Sequence, residues 1–139
     1  MSEAFLLVAA GGRRVGLPVT QLEAVMDSTG VLRVPAAEPA LAGVAAVRGA
    51  TLPVMNLSAL LGVAGEGPAE VFVLVEVGGA RLCLAVEGAE TLLRGEPMPL
   101  PPDSTLSWAR AVLRDGDALV PLLDLEALAE RLADTGRAT

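Results

Sequence analysis

The sequence contains no lysine, no histidine and no tyrosine, and it has a single cysteine. Without histidine, the chain lacks the usual general base at neutral pH and the commonest metal ligand. Without lysine, it can form neither a Schiff base nor the P-loop contact to phosphate. Two closely spaced carboxylate pairs, Asp115/Asp117 and Glu87/Glu90, lie at a turn and in a repeated segment, where a structural role is the simpler interpretation. We therefore expect a binding protein with no enzyme activity, cofactor or metal.

Aromatic residues make up 2% of the chain and hydrophobic residues 53%, so the core must be aliphatic. The net charge of −7 argues against nucleic acid, because binding to phosphates depends on neutralising them. It also argues against an anionic membrane surface. Cys83 lies in an apolar run and is expected to be a buried small hydrophobe. The N-terminus has no positively charged region of a signal peptide, so we expect a cytoplasmic protein without direct membrane insertion.

A short apolar segment with a central proline or alanine occurs four times, with copies roughly 35 residues apart. A glycine turn precedes each copy, and a unit of turn and strand used repeatedly is typical of repetitive β architecture. The four copies begin at Gly16, Thr51, Leu82 and Leu119.

Turn and strand signals predict nine or ten short strands in two similar halves. We expect Asn56 to cap a short helix that Gly62 ends, and Asp124 to cap a C-terminal helix over about residues 124–134. The glycine-rich stretch 62–68 is the best linker candidate. The interpretation is one domain, residues 1–139, with a first small barrel at about 14–67 and a second at about 68–123.

Two shorter segments also carry predictions. Val31 to Pro35 alternates and is predicted to be a strand, while Gln21 to Met26 fits either half a turn of helix or an extended bend. Gly43 and Gly49 are expected to need positive φ or close backbone approach.

Arg48 is the best single candidate for a binding residue. It lies at a turn between two very apolar strands. A rigid turn holds a guanidinium outward, where it can bind a carboxylate or carbonyl of a partner. An ordinary solvent-exposed turn arginine is the alternative.

The stretch from Leu41 to Gly62, LAGVAAVRGATLPVMNLSALLG, resembles the central signature of the CheW-like coupling proteins of bacterial chemotaxis. That signature is a Gly-x-x-x-x-Arg-Gly turn, then Pro-Val-x-x-Leu and a short helix ending in Leu-Gly. The segments that begin at Gly16, Leu84 and Leu119 match the flanking parts of the family. The resemblance extends from about Phe5 to Leu132.

This resemblance implies a mostly β fold, with two five-stranded SH3-like barrel lobes, an apolar groove between them, a short mid-chain helix and a C-terminal helix. It implies a non-enzymatic scaffold that couples a methyl-accepting chemoreceptor tip to the regulatory domain of a histidine kinase, recruited to receptor arrays and able to self-associate there. By position, Arg48, Val47, Gly49 and Leu52 would lie at the partner-facing surface, and Val44 and Val54 in the barrel core.

Three alternatives stay open. The chain could serve a chemotaxis-like pathway that controls pili, gliding or gene expression. It could be a small ligand-binding β-barrel that uses the groove between the lobes. It could also be a detached part of a larger kinase or receiver-bearing adaptor, although neither a phospho-acceptor histidine nor a receiver pocket is evident in the sequence.

Overall fold

The computed structural model describes residues 3–35, 39–63 and 69–137, with side chains to residue 133. This part of the chain forms ten strands and two helices. They are β1 (Glu3–Ala10), β2 (Arg13–Pro18), β3 (Leu22–Asp27), β4 (Leu41–Val47), β5 (Ala50–Asn56), α1 (Leu57–Leu61), β6 (Val71–Val77), β7 (Ala80–Val86), β8 (Gly88–Gly95), β9 (Ala109–Asp115), β10 (Ala118–Leu123) and α2 (Leu125–Arg137).

The strands form two five-stranded sheets. Sheet A has the order β8-β1-β2-β10-β9, and sheet B has the order β3-β6-β7-β5-β4. In each sheet two antiparallel hairpins meet through one parallel pair, β2 with β10 and β5 with β7. The four repeated segments of the sequence all begin within these four strands. The mostly β, two-sheet prediction is confirmed.

The chain consists of two equivalent units that exchange strands. Residues 3–61, the first unit, run through five strands and a helix, and residues 71–137, the second unit, do the same in the same order. Sheet A combines the first two strands of the first unit with the last three of the second. Sheet B combines the first two strands of the second unit with the last three of the first. Each sheet therefore requires both units.

This exchange corrects the predicted division of the chain. The sheets do not coincide with residues 14–67 and 68–123, because β3 and β8 each leave the sheet of the preceding strand and pair in the other one. Turn signals locate strands along the chain but do not say which strands pair. Residues 64–68 of the predicted linker lie outside the described residues.

Alternating side chains bury both faces of the central strands. One face of each sheet contributes to a shared core between the sheets, including Val8 and Leu17 from sheet A and Val73 and Leu84 from sheet B. The opposite faces enclose two smaller cores. The core of sheet B takes side chains from all five of its strands, so this sheet must curl around it. As expected, these cores are almost entirely aliphatic.

Neither sheet closes into a continuous barrel among the described residues. Instead, a loop residue forms an isolated bridge with the edge strand of each sheet. Leu32 pairs with Val44 of β4 in sheet B, and Met98 pairs with Val112 of β9 in sheet A. The Leu32 bridge has two backbone hydrogen bonds of 2.8 and 2.9 Å. The predicted strand from Val31 to Pro35 is therefore reduced to this single bridge.

Both helices begin at the predicted caps and α1 ends at the predicted glycine, whereas α2 runs to Arg137, past its expected end near residue 134. Asn56 Oδ1 accepts a hydrogen bond from the Ala59 amide at 3.1 Å, and Gly62, with φ of 75°, ends α1. Asp124 Oδ1 accepts from the Ala127 amide at 3.0 Å. Such caps satisfy amides that have no partner within the helix. Residues Val19–Gln21 form one 3-10 turn before β3, which resolves the segment Gln21 to Met26 as mainly extended.

Candidate protein-binding surface around Arg48

Arg48 occupies a two-residue turn whose backbone is unusual for a side chain of its size. Val47 pairs with Ala50, so Arg48 and Gly49 alone connect β4 to β5. Their φ values are 52° and 81°. Positive φ at both positions matches the hairpin turn whose twist fits that of the strands. Arg48 is the one residue other than glycine with positive φ in the described chain, and glycine would adopt this conformation with less strain.

The guanidinium of Arg48 extends from this turn toward Glu23 on β3. Arg48 Nη1 lies 3.9 Å from Glu23 Oε2, and the Arg48 side chain is 56% exposed. The same carboxylate is already bound by Arg81 of β7, which donates from Nε at 2.8 Å and from Nη2 at 2.6 Å. Because Arg81 supplies both short contacts, most of the hydrogen-bonding capacity of Arg48 faces solvent.

The positions of Glu23 and Arg81 follow from the sheet. The β3–β6 register shifts between Leu22 and Ala24, so Glu23 is the extra residue of a bulge. Hydrogen bonding from Arg81 holds the pKa of Glu23 below its usual value, and the positive charges of Arg81 and Arg48 act in the same direction. The pKa of Arg81 is raised by the same hydrogen bond. Glu23 and Arg81 are therefore both charged at neutral pH.

Two of the four residues assigned to this surface lie in the core instead. Val47 is 2% exposed and Leu52 is 5% exposed, and both pack in the small core of sheet B. They support the turn from below and cannot meet a partner directly. Arg48 and Gly49 are exposed as expected. Val54 is buried as expected, whereas Val44 is only half-buried.

Beside Arg48, the outer side of β4 is apolar. Val44 and Ala46 point outward by strand alternation, and Leu32, 70% exposed, bridges to Val44. Gly43 makes this bridge possible, because its φ is 152° and a Cβ there would lie 2.1 Å from the Leu32 carbonyl oxygen. We call Leu32, Val44, Ala46 and Arg48 the β4 surface. It combines exposed apolar side chains with one incompletely paired cation.

Sheet A contains an equivalent charge cluster with the opposite balance. Arg14 on β2 binds Glu90, the bulged residue of β8, at 3.2 Å and Asp115 at 2.6 Å. Here one arginine meets two carboxylates, whereas in sheet B two arginines meet Glu23. Glu87 Oε2 accepts from the Gly11 amide at 3.0 Å. The predicted structural role for Glu87, Glu90 and Asp115 agrees with these contacts.

Other reactive groups and cavities add no catalytic arrangement within the described residues. Cys83 is fully buried, and burial raises its pKa to about 12, so its thiol is protonated at neutral pH. No group of three or more potential metal ligands occurs within the described ranges. Two open pockets have volumes of about 540 and 560 Å³. Asn56 and Glu87 line the first, and Arg13 and Leu119 line the second.

Comparison with known proteins gives a family for this arrangement. The model of the CheW-like domain family matches residues 4–133. The chain belongs to the CheW-like family. Among solved structures, this CheW-like chain is similar to the scaffolding protein TtCheW from Thermoanaerobacter tengcongensis. The TM-score is 0.80 at 18% sequence identity, over 89% of this chain and 90% of that one. No curated protein matches the sequence.

The residues that sequence reasoning missed in this CheW-like chain are Glu23, Arg81 and Leu32. The sequence does contain a signal for Arg81. Arg14 and Arg81 occupy equivalent positions, each separated by one residue from a preceding Gly-Gly turn. Nothing in the sequence indicates that Arg81 meets Glu23 across 58 positions. Neither helix in the described ranges is long and apolar enough to cross a membrane.

Proposed function

We propose that this CheW-like protein is a non-enzymatic, cytoplasmic chemotaxis adaptor. It couples a chemoreceptor tip to the regulatory domain of a histidine kinase through the β4 surface. The observation that carries the proposal is Arg48: an exposed arginine, on a turn with positive φ, beside a carboxylate that another arginine already binds. Strained backbone that holds a charged side chain outward is common at functional sites.

The expected partner group is a carboxylate or carbonyl next to apolar side chains. Arg48 can donate several hydrogen bonds to such a group, while Leu32, Val44 and Ala46 offer apolar contact. A scaffold with one surface for a receptor and one for a kinase raises the effective concentration of each for the other. A bias on kinase activity then requires different affinities for its active and inactive states.

The test is calorimetric titration with the regulatory domain of a chemotaxis-type histidine kinase from the same genome. We expect Arg48→Glu to weaken binding at least tenfold, about 1.4 kcal/mol. Arg48→Gly is the second variant, because it removes the guanidinium and keeps positive φ without strain. Arg114→Glu is the matched control, since Arg114 is an exposed arginine on β9 of the other sheet.

Equal weakening by Arg48→Glu and Arg114→Glu would exclude a specific role for Arg48 and indicate a general charge effect. If no such kinase domain binds the wild-type chain, the adaptor role in ordinary chemotaxis is wrong. A pathway for pili, gliding or gene expression is then tested with the kinase encoded beside this gene.

The two pockets motivate a second candidate, a small-ligand-binding protein. Their volumes of about 540 and 560 Å³ lie in the range of small-molecule sites. A ligand that binds the native state must raise its melting temperature. A thermal-shift screen without any such increase would exclude this function for the compounds tested.

A further inference from the structure

The two units of the chain meet in an interface that has the character of a permanent subunit contact. Four strand pairings cross it: β1 with β8, β3 with β6, β2 with β10, and β5 with β7. The core between the sheets takes residues from both units. Neither sheet can be assembled from one unit, because each unit supplies either two or three of its five strands.

Charged side chains match across the same interface. Arg14 of the first unit binds Glu90 and Asp115 of the second. Glu23 of the first unit binds Arg81 of the second. The interface is therefore complementary in charge as well as in backbone hydrogen bonding.

The units are joined covalently only through residues 62–70, with the sequence GVAGEGPAE. If two chains traded their second units, every pairing described above would be kept between chains instead of within one. The main free-energy cost would be that of association, so the balance depends on concentration.

We propose that the inter-unit interface is also an interaction surface between two copies of this chain, which exchange residues 71–137 to form an intertwined dimer. Each half of the dimer contains the first unit of one copy and the second unit of the other. Arg81 of one copy then holds Glu23 of the other, so the carboxylate beside the β4 surface is bound across the two copies. The dimer carries two such surfaces and is a bivalent scaffold, with the corresponding gain in avidity. This goes beyond the proposed function, and its test requires no kinase.

The test uses two full-length variants with reversed charges confined to different units. The first chain carries R14E and E23R, both in the first unit. The second carries R81E and E90R, both in the second unit. Within either chain alone the reversed groups face like charges. In a mixed exchanged dimer, one half regains the native pairs and the other contains the same pairs reversed. In that second half, Asp115 faces the carboxylate introduced by R14E, and Arg48 faces the arginine introduced by E23R.

The two variants are refolded together at high concentration, and dimers are isolated by size-exclusion chromatography with light scattering. Mass spectrometry then gives the share of dimers that contain one chain of each kind. We expect mixed dimers to exceed the half that random pairing produces. Absence of dimers, or a mixed share no greater than random, overturns the proposal. The chain with all four reversals is the control and should show no preference for the wild-type chain.

A second measurement covers the case in which a variant does not fold. Two wild-type chains with different affinity tags are refolded either together or separately before mixing. Exchange predicts that the tags co-purify only after joint refolding. Failure to co-purify in both cases would contradict the exchange, because no dimer then forms. Equal co-purification in both cases would also contradict it, because a dimer that forms without refolding is a surface-to-surface dimer.

Discussion

The substitution Gly43→Ala, in strand β4, should destabilise the protein more than a glycine-to-alanine change at an exposed turn. Gly43 has φ of 152°, and a Cβ there would lie 2.1 Å from the backbone oxygen of Leu32. The atom in the way is backbone, so the Leu32 bridge to Val44 must open. Backbone strain of about 1–3 kcal/mol and two lost hydrogen bonds of about 1 kcal/mol each give a loss of about 3–5 kcal/mol.

Urea denaturation of three variants separates these contributions. Gly88→Ala meets open space without positive φ and should lie within about 0.5 kcal/mol of wild type. Gly49→Ala also meets open space but at φ of 81°, so strain alone should cost about 1 kcal/mol. Gly43→Ala should exceed both, and the Leu32 and Val44 amides should lose protection from hydrogen exchange. If Gly43→Ala costs no more than Gly49→Ala, the proposed backbone clash is refuted.

Two further predictions concern titration. Burial raises the pKa of Cys83 from 9.0 to about 12. The contribution of the protonated thiol to the free energy of unfolding is therefore complete below pH 9 and is lost as pH rises toward 12. Cys83→Ala should reduce this alkaline loss in urea midpoints, and a thiol reagent at neutral pH should modify the wild-type chain only as fast as it unfolds. The pKa of Glu23 is lowered by its hydrogen bonds from Arg81. The contribution of the Glu23 carboxylate to the free energy of unfolding is therefore present above pH 4.5 and is lost as pH falls through the lowered pKa. Arg81→Gln should flatten this acid slope, whereas an unchanged slope would show that Arg81 does not stabilise the Glu23 carboxylate.

Local features of the fold were predictable because their causes are local. The Gly78-Gly79 hairpin, the Asn56 cap and the end of α1 at Gly62 depend on residues within one turn of each other. The burial of Cys83 follows from its apolar neighbours. The resemblance of residues 41–62 to a family signature supplied the two five-stranded sheets.

The exchange of β3 and β8 was not predictable, because a strand pattern specifies faces and not partners. Both strands also contain a bulge, at Glu23 and Glu90, which interrupts the alternation by which a strand is recognised. The candidate site was only partly predictable, because some of its features are local and others depend on how the strands pair. Arg48 follows from its turn, whereas the burial of Val47 and Leu52 depends on how sheet B curls.

The strand order also has a consequence for synthesis on the ribosome. Sheet A combines β1 and β2, near the N-terminus, with β8, β9 and β10, the last of which ends at Leu123. Sheet B lacks two of its strands, β6 and β7, until Val86 has been made. Because contacts between residues distant in sequence form slowly, neither sheet can be completed early during translation. The apolar segment Phe5–Leu6–Leu7–Val8 therefore lacks its final neighbours during most of translation. We expect the nascent chain to be a client of chaperones that shield apolar strands.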